Sequence, residues 1–257
     1  MNIIEANNLS INYGSKNIIK EQNISIQENK ITVILGPNGC GKSTLLKSIA
    51  RIIPINEGKI YLDSLDMKTQ DSIEIAKKLG FLPQILNSLD GLSVEELVSY
   101  GRYPHQKTAS KSENRKAVAQ AMRLTKTNEL ASTNINSLSG GQKQRVWIAM
   151  VLAAQTKVVL LDEPTTYLDI GYQIEVLELL KSLNNNNKQT IVMVLHDINH
   201  AARYADWIIT LKDGKVFKEG TPKDIITVEN IKHLYNVDSQ IIIDSKHDCP
   251  VCISFDL

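Results

Sequence analysis

The residues best suited to chemistry form a short segment, 36–43, that reads Gly-Pro-Asn-Gly-Cys-Gly-Lys-Ser. This spacing fits the phosphate-binding loop, in which glycines let successive backbone N–H groups point inward around phosphate oxygens. The helix expected from Lys42 onward adds the positive end of its dipole. Lys42 would supply charge to the β- and γ-phosphates, and the Ser43 hydroxyl is a ligand for Mg²⁺. The segment therefore predicts a nucleotide site.

Two adjacent acids form a second candidate centre. An apolar run at residues 158–161 leads directly into Asp162 and Glu163, and ligands of α/β sheets bind at the carboxyl ends of such strands. Asp162 would hold the shell of Mg²⁺. Glu163 would accept a proton from the attacking water, a role that typically contributes ~10²–10⁴-fold to the rate. The alternative, two solvated acids before Pro164, is weaker beside a phosphate loop.

The elements that must position these residues alternate along the chain. Short β-branched runs are followed by longer helical patterns around residues 31–51, 157–183 and 190–204, which predicts an α/β fold with a largely parallel sheet. The first ~30 residues alternate like antiparallel strands. Helical periods dominate residues 92–154 and indicate a helical insertion. The Asn run 184–187 predicts an exposed loop, because asparagine favours turns.

Composition excludes several classes of protein. Lys and Arg number 29 against 28 Asp and Glu, a net charge of +1, which argues against a general nucleic-acid binder and an acidic disordered chain. No apolar stretch approaches the ~20 residues of a membrane helix. The start does not look like a secretion signal, so the reducing cytoplasm is the default compartment.

The three cysteines are too few for a disulfide framework. Cys40 is either a reactive thiol or a small residue that fills a loop position, and we favour the second. Cys249 and Cys252 have the CxxC spacing of metal or redox sites, yet a structural Zn²⁺ usually needs four ligands. No second pair is present in the sequence. We therefore favour an ordinary tail.

A third segment, 138–142, reads Leu-Ser-Gly-Gly-Gln and matches letter for letter the signature motif of ABC-type ATPases. The sequence resembles an ABC transporter nucleotide-binding subunit over nearly its whole length. A Gly-Gly pair after a serine at a helix N-terminus is itself a second surface of N–H groups for phosphate. By the resemblance, each signature segment closes over ATP held by the other copy of a homodimer.

The resemblance also implies a P-loop NTPase fold of the ABC type, α/β, with a mainly parallel core sheet, an N-terminal antiparallel β piece and an α-helical subdomain. We expect a single nucleotide-binding domain over residues 1–257. Its core would span about residues 1–84 and 156–222, and its helical subdomain about residues 85–155. A short C-terminal extension, 223–257, would follow.

Four more positions take roles from the resemblance. Tyr13 matches the aromatic that stacks on adenine, and Gln84 matches the glutamine that links Mg²⁺ or water to the helical subdomain. Asp169 would lie at the dimer interface, and His196 would contact the γ-phosphate. With ATP and Mg²⁺ as cofactors, the predicted catalytic residues are Glu163, His196 and Lys42, and the metal ligands are Ser43, Gln84 and Asp162. The nucleotide-binding set is Tyr13, Gly36, Pro37, Asn38, Gly39, Cys40, Gly41, Lys42, Ser43, Thr44, Gln84, Ser139, Gly140, Gly141, Gln142 and Asp169.

Residues 101–105, 163–170 and 194–204 look like those of importer ATPases for iron-siderophore complexes, haem and cobalamin, with ferric siderophore first. This resemblance implies ATP hydrolysis coupled to a separate membrane permease, an indirect link to a substrate-binding protein, and no nucleic-acid partner. The chain would sit on the cytoplasmic side of the membrane, attached through the permease. Exposed Arg102 and Tyr103 are candidates for docking, and a helix end followed by a proline turn is the alternative.

Two other functions are alternatives for a chain with a phosphate loop. A non-transport ABC ATPase that acts as an ATP-gated clamp would generally carry a long coiled-coil insertion or two cassettes, and neither is present in the sequence. A small-molecule P-loop kinase would leave residues 138–142 unexplained. Transport is therefore the preferred function.

Overall fold

The computed structural model describes residues 1–14, 16–84 and 91–257. These residues form two compact units, the first from residues 1–69 and 190–257 and the second from residues 70–189. The strands are β1 (Asn2–Tyr13), β2 (Lys16–Gln27), β3 (Ile31–Leu35), β4 (Glu57–Leu62), β5 (Leu65–Asp66), β6 (Leu79–Leu82), β7 (Val158–Asp162), β8 (Thr190–Val194), β9 (Trp207–Lys212), β10 (Lys215–Gly220), β11 (Asp238–Asp244) and β12 (Cys249–Asp256). The helices are α1 (Lys42–Ile49), α2 (Ser72–Ala76), α3 (Val94–Tyr100), α4 (Lys111–Leu124), α5 (Gly140–Ala153), α6 (Ile170–Asn187), α7 (Ile198–Tyr204), α8 (Pro222–Ile225) and α9 (Val228–Tyr235).

The first unit contains a parallel layer and an antiparallel layer. Strand β3 pairs in parallel with β8 and with β9, while β10 joins β9 antiparallel. Every residue of β3 and β8 is buried, as expected for parallel strands covered on both faces. The N-terminal strands β1 and β2 pair antiparallel from Asn2 with Gln27 to Tyr13 with Lys16. The predicted N-terminal antiparallel piece is therefore confirmed.

The second unit combines a strand pair with a helical core. Strands β6 and β7 run parallel, in register from Leu79 with Val158 to Leu82 with Leu161. Buried side chains of α3, α4 and α5 pack on one another, and each of these helices begins with a capping box of Ser and Glu or Gln. The predicted start of the helical subdomain at residue 85 lies outside the described residues. Its boundaries and those of the core stay predictions.

The Asn run is helical, so the expectation of an exposed loop at residues 184–187 is wrong. Helix α6 continues to Asn187 and ends at Lys188, which has a left-handed φ of 54°. The amide of Asn184 donates to the carbonyl of Gln189 at 2.8 Å, and that of Asn186 to the Ser182 hydroxyl at 3.0 Å. These side-chain bonds serve the last turn of the helix and override the turn preference of asparagine.

The C-terminal extension ends in the antiparallel hairpin of β11 and β12. Cys249 and Cys252 are buried in β12, and the backbone of Cys252 forms two hydrogen bonds with the side chain of Asn199 on α7, at 2.8 and 3.0 Å. The pair thus lies in an attached strand, not in a loose tail. Within the three described ranges, no group of three or more His, Cys, Asp or Glu side chains is arranged to hold a metal ion.

Across the same ranges, no helix is both long enough and apolar enough to traverse a lipid bilayer.

Candidate functional site

The glycine-rich loop connects β3 to α1. Gly36 has a φ of 149°, and a Cβ there would lie 2.1 Å from the carbonyl oxygen of Leu211, a distance that no side chain tolerates. Gly41, the residue before α1, has a φ of 108°, a region that residues with a Cβ rarely adopt. These two positions therefore explain why the loop requires glycine before any ligand is considered.

Lys42, at the start of α1, is buried, with a relative exposure of 5%. Its Nζ donates to the carbonyl oxygens of Gly36 at 2.8 Å and Pro37 at 2.9 Å, so the ammonium lies within the loop. Burial raises the pKa of the Cys40 thiol, against the lowering effect of Lys42. A thiol that stays protonated is a poor nucleophile, which argues against a reactive role for Cys40.

Other predicted nucleotide residues of the first unit surround this loop in sequence. Ser43 and Thr44 are half-buried in the first turn of α1, whereas Asn38 and Gly39 are exposed. Tyr13, at the end of β1, is 67% exposed. Its ring is therefore accessible to a ligand such as adenine.

His196 lies at the same sheet edge as the loop. Ile34 of β3 pairs with Val194 of β8, and Gly36 and His196 each come two residues later. Because the strands are parallel, both chains leave the sheet in the same direction. His196 is exposed, and α7 begins just after it, with Asp197 accepting from the backbone N–H of His200 at 2.7 Å.

The second unit repeats this arrangement with acids and amides. Leu82 of β6 pairs with Leu161 of β7, and Gln84 and Glu163 each follow by two residues. The amide nitrogen of Gln84 donates to Oε2 of Glu163. The carboxylate is thereby oriented by its neighbour across the strand ends.

Thr166, which the sequence analysis did not identify, holds the same carboxylate. Its hydroxyl donates to Oε2 of Glu163 at 3.0 Å, and its backbone N–H donates to the Glu163 carbonyl at 3.3 Å. Glu163 itself has a positive φ of 54°, a strained conformation of the kind that clusters at active sites. In the sequence, the only sign of this role is that Thr166 has a hydroxyl and lies three residues after Glu163.

Asp162, the last residue of β7, has no exposed surface. A buried carboxylate requires hydrogen bonds or a cation. Together with the Ser43 hydroxyl and the amide carbonyl of Gln84, the predicted ligand set consists entirely of oxygen donors, which Mg²⁺ prefers. The residues present therefore fit this ion.

The signature segment forms the N-terminus of α5. Ser139 Oγ accepts from the backbone N–H of Gln142 at 3.3 Å, and the side chain of Gln142 accepts from the N–H of Ser139 at 2.9 Å. The first N–H groups of a helix lack partners within it and attract anions. Among the residues that the structure describes, a Cβ on Gly140 would meet nothing within 4 Å, while one on Gly141 would meet the ring of Tyr172. The open side of the turn is therefore at Gly140.

Asp169 caps α6 by accepting from the backbone N–H of Tyr172 at 3.1 Å. The two apolar side chains that flank it are strongly exposed, Tyr167 at 89% and Ile170 at 74%. This chain alone leaves both of them in water.

One prediction about docking is wrong. Arg102 is only 6% exposed, because its guanidinium donates to Asn114 at 2.8 Å, to the carbonyl of Ala153 at 2.8 Å and to Gln155 at 3.0 Å. It joins α4 to the end of α5 and does not face a partner. Tyr103, in the turn that follows, is 65% exposed.

The structure thus brings the candidates together as two sets. Within the first unit, the loop and His196 share one sheet edge. Within the second unit, Gln84, Glu163 and Thr166 form one hydrogen-bonded group, and Glu163 directly follows Asp162 in the sequence.

Comparison with known proteins identifies what the chain is similar to. A family described as ABC transporter matches residues 19–166. The iron(3+)-hydroxamate import ATP-binding protein FhuC of Bacillus subtilis is 46% identical, over 100% of this chain and 96% of its own. The ferric enterobactin transport ATP-binding protein FepC of Escherichia coli is 42% identical, over 95% and 91%. The hemin import ATP-binding protein HmuV of Shewanella denitrificans is 34% identical, over 98% and 100%.

Solved structures give the same picture. A chain of a metal-chelate type ABC transporter in an inward-facing conformation superimposes with a TM-score of 0.84 at 31% identity, covering 98% of this chain and 96% of that one. The ATP-binding cassette MJ0796, a dimer bound to ADP and phosphate, gives a TM-score of 0.75 at 34% identity, covering 85% of this chain and 98% of that one.

Proposed function

Because the chain belongs to the ABC transporter family, we propose that it is the ATP-hydrolysing subunit of a membrane importer for ferric siderophores, with haem and cobalamin as the related cargoes. The observation that carries ATP hydrolysis is the carboxylate of Glu163, oriented by Gln84 and Thr166 beyond a buried strand. The cargo is supported by the relatives, whose names specify import of iron(3+)-hydroxamate, ferric enterobactin and hemin.

In this proposal, ATP hydrolysis uses groups at the carboxyl ends of both strand pairs, β3 with β8 and β6 with β7. The loop and Lys42 bind the β- and γ-phosphates of ATP, and Tyr13 stacks on the adenine. Glu163 accepts the proton of the water that attacks the γ-phosphate, and His196 orients that water. The products are ADP and phosphate.

Bound Mg²⁺, held by Ser43, Gln84 and Asp162, would offset the negative charge that develops on the phosphates. Asp162 supports this role because it is a fully buried carboxylate at the strand end. The amide nitrogen of Gln84 is engaged with Glu163, so its carbonyl oxygen is the atom suited to a cation.

The functional assembly is a homodimer with two-fold symmetry. The signature residues Ser139, Gly140, Gly141 and Gln142 of one copy face the ATP on the other copy. Tyr167 and Ile170 support this assembly because they are exposed apolar side chains on either side of Asp169. A second copy that covers them removes apolar surface from water, at about 25 cal/mol per Å².

The importer also contains a permease and works with a substrate-binding protein. The permease holds the chain at the cytoplasmic face of the membrane. Tyr103 is the remaining docking candidate, since it is an exposed aromatic in the turn after α3.

Reconstituted transport tests this function. The chain is placed in proteoliposomes with the permease and binding protein encoded beside its gene, and uptake of radioactive ferric siderophore is measured with and without ATP. We expect ATP-dependent uptake of the ferric siderophore that is faster than uptake of haem or cobalamin. With Glu163→Gln we expect no uptake. ATP hydrolysis without transport of any of the three cargoes would contradict the importer assignment.

A further inference from the structure

The second glycine of the signature segment is packed against an aromatic ring. A Cβ on Gly141 would lie 2.7, 2.8 and 3.0 Å from three carbons of the Tyr172 ring, whereas one on Gly140 would meet no described residue within 4 Å. Real Cβ contacts below 3.0 Å are essentially never seen. Gly141 is therefore a packing glycine for Tyr172, and Gly140 is the one that faces outward.

The ring of Tyr172 is itself held in place by both helices. The guanidinium carbon of Arg145, on α5, lies 6.0 Å from the ring centroid. Arg145 also approaches the carboxylate of Glu175, on α6, at 3.6 Å. The N–H of Tyr172 is fixed by the side chain of Asp169 at 3.1 Å. A cation, a ring and an acid thus join the start of α5 to the start of α6.

The same helix start is close in sequence to the reacting carboxylate. Thr166 binds Glu163, and Asp169 caps α6 three residues before Tyr172. Residues 163–172 therefore run from the carboxylate to the ring that supports the signature turn.

We propose that Tyr172 is a positioning residue, which holds the signature turn in the orientation needed to bind the ATP of the second copy and links that turn to the Glu163 segment of its own copy. This inference rests on the proposed homodimer. Tyr172 acts through Gly141 and through Asp169, and this role requires no contact with ATP or with the attacking water. The ring carries the contact, so the phenolic hydroxyl is not needed.

Substitution of Tyr172 separates positioning from simple packing. We expect Tyr172→Ala to lower kcat about tenfold or more, since small misplacements of binding groups are costly in catalysis. Binding of a fluorescent ATP analogue to the isolated chain should stay within about twofold of the unsubstituted protein, because that site belongs to the other unit. Tyr172→Phe should restore kcat. Tyr100→Ala, on the exposed part of α3, is the matched control.

The inference is overturned if folded Tyr172→Ala keeps kcat within about twofold, or if Tyr172→Phe is as defective as Tyr172→Ala. Thermal melting checks that each variant is folded. Should the alanine variant not fold, Tyr172→Leu is assayed by the same criteria, because leucine preserves bulk but not the flat ring.

A double-mutant cycle tests the contact itself. Gly141→Ala places a methyl group where the ring lies, so its effect on kcat should be severalfold smaller in the Tyr172→Ala background than alone. Strict additivity of the two substitutions would contradict the contact as the route of action.

Gly140→Ala distinguishes failure of this inference from failure of the proposed dimer. Its methyl group meets nothing within 4 Å in the described part of its own chain, so loss of ATP-dependent dimerisation, measured by light scattering, reports contact with the nucleotide of the second copy. If Gly140→Ala impairs dimerisation and Tyr172→Ala does not, only the role of Tyr172 is overturned. If neither variant impairs dimerisation or ATP hydrolysis, the proposed dimer is overturned together with it.

Discussion

Two pairs of parallel strands in this molecule, one in each unit, end in the same way but carry different residues, and we call their carboxyl ends the first edge and the second edge. At the first edge, Ile34 pairs with Val194, and Gly36 and His196 follow by two residues. At the second edge, Leu82 pairs with Leu161, and Gln84 and Glu163 follow by two residues. The first edge continues into a loop shaped by glycine. The second presents side chains that bind one another.

Because of this difference, the first edge is suited to binding phosphate and the second edge to moving a proton. Backbone groups in a glycine loop bind phosphate whatever the reaction, because each residue except proline offers the same N–H. A carboxylate held by an amide and a hydroxyl moves a proton, which is a task of one side chain. We therefore expect substitutions at the first edge to change nucleotide affinity and those at the second edge to change turnover.

Glu163→Gln should give the largest effect. The amide keeps the shape of the side chain but accepts no proton, so we expect kcat to fall by about 10²–10⁴-fold. ATP binding should persist, and the ATP-bound homodimer should accumulate. Steady-state hydrolysis and light scattering in the presence of ATP measure both properties.

The matched control is Glu95→Gln, which makes the same change on an exposed residue of α3. It should hydrolyse ATP at the unsubstituted rate. Full turnover by Glu163→Gln would remove Glu163 from the mechanism and break the contrast between the two edges.

Lys42→Ala tests the first edge. The ammonium that contacts Gly36 and Pro37 is lost, and a hydrogen bond to a charged group contributes about 1.5–3 kcal/mol, so affinity for ATP should fall about 10- to 150-fold. Calorimetric titration with ATP and Mg²⁺ measures this, with Lys47→Ala on the same helix as control. An unchanged dissociation constant would rule out the loop as the phosphate site.

Thr166→Val should give the smallest effect and the sharpest comparison. The hydrogen bond from the Thr166 hydroxyl to the Glu163 carboxylate is removed at nearly constant volume, so we expect kcat to fall about 3- to 10-fold with unchanged affinity for ATP. Thr165→Val makes the same change one residue earlier and should have no effect. A Thr166→Val protein that binds ATP more weakly but turns over normally would reverse the proposed division of tasks.

Local features could be predicted from the sequence. The loop of residues 36–43 is recognisable because the strand, the glycines and the helix are contiguous, and the strand ending at Asp162 is recognisable because buried parallel strands are continuous apolar runs. The N-terminal antiparallel piece followed from alternation. Each of these depends on residues within a few positions of one another.

Features that depend on hydrogen bonds made only in the folded chain could not be predicted from the sequence. Gln84 and Glu163 are 79 positions apart, so their hydrogen bond exists only once β6 and β7 are paired. Arg102 looked like a surface cation, but its three partners come from α4 and the end of α5. The Asn run looked like a loop, yet its side chains bond to nearby groups at the end of α6. For Arg102 and for the Asn run, hydrogen bonds made in the folded chain reversed a preference of residue type.

Asn199 binds the backbone of Cys252 through both atoms of its amide, one as donor and one as acceptor. Such pairing ignores the side chain at the bound position, because every residue except proline has the same N–H and C=O. A substitution at position 252 that tolerates burial therefore keeps both hydrogen bonds, whereas Asn199→Ala removes both. The attachment of the β11–β12 hairpin to α7 through these bonds thus depends on the residue type at position 199 and not on that at position 252.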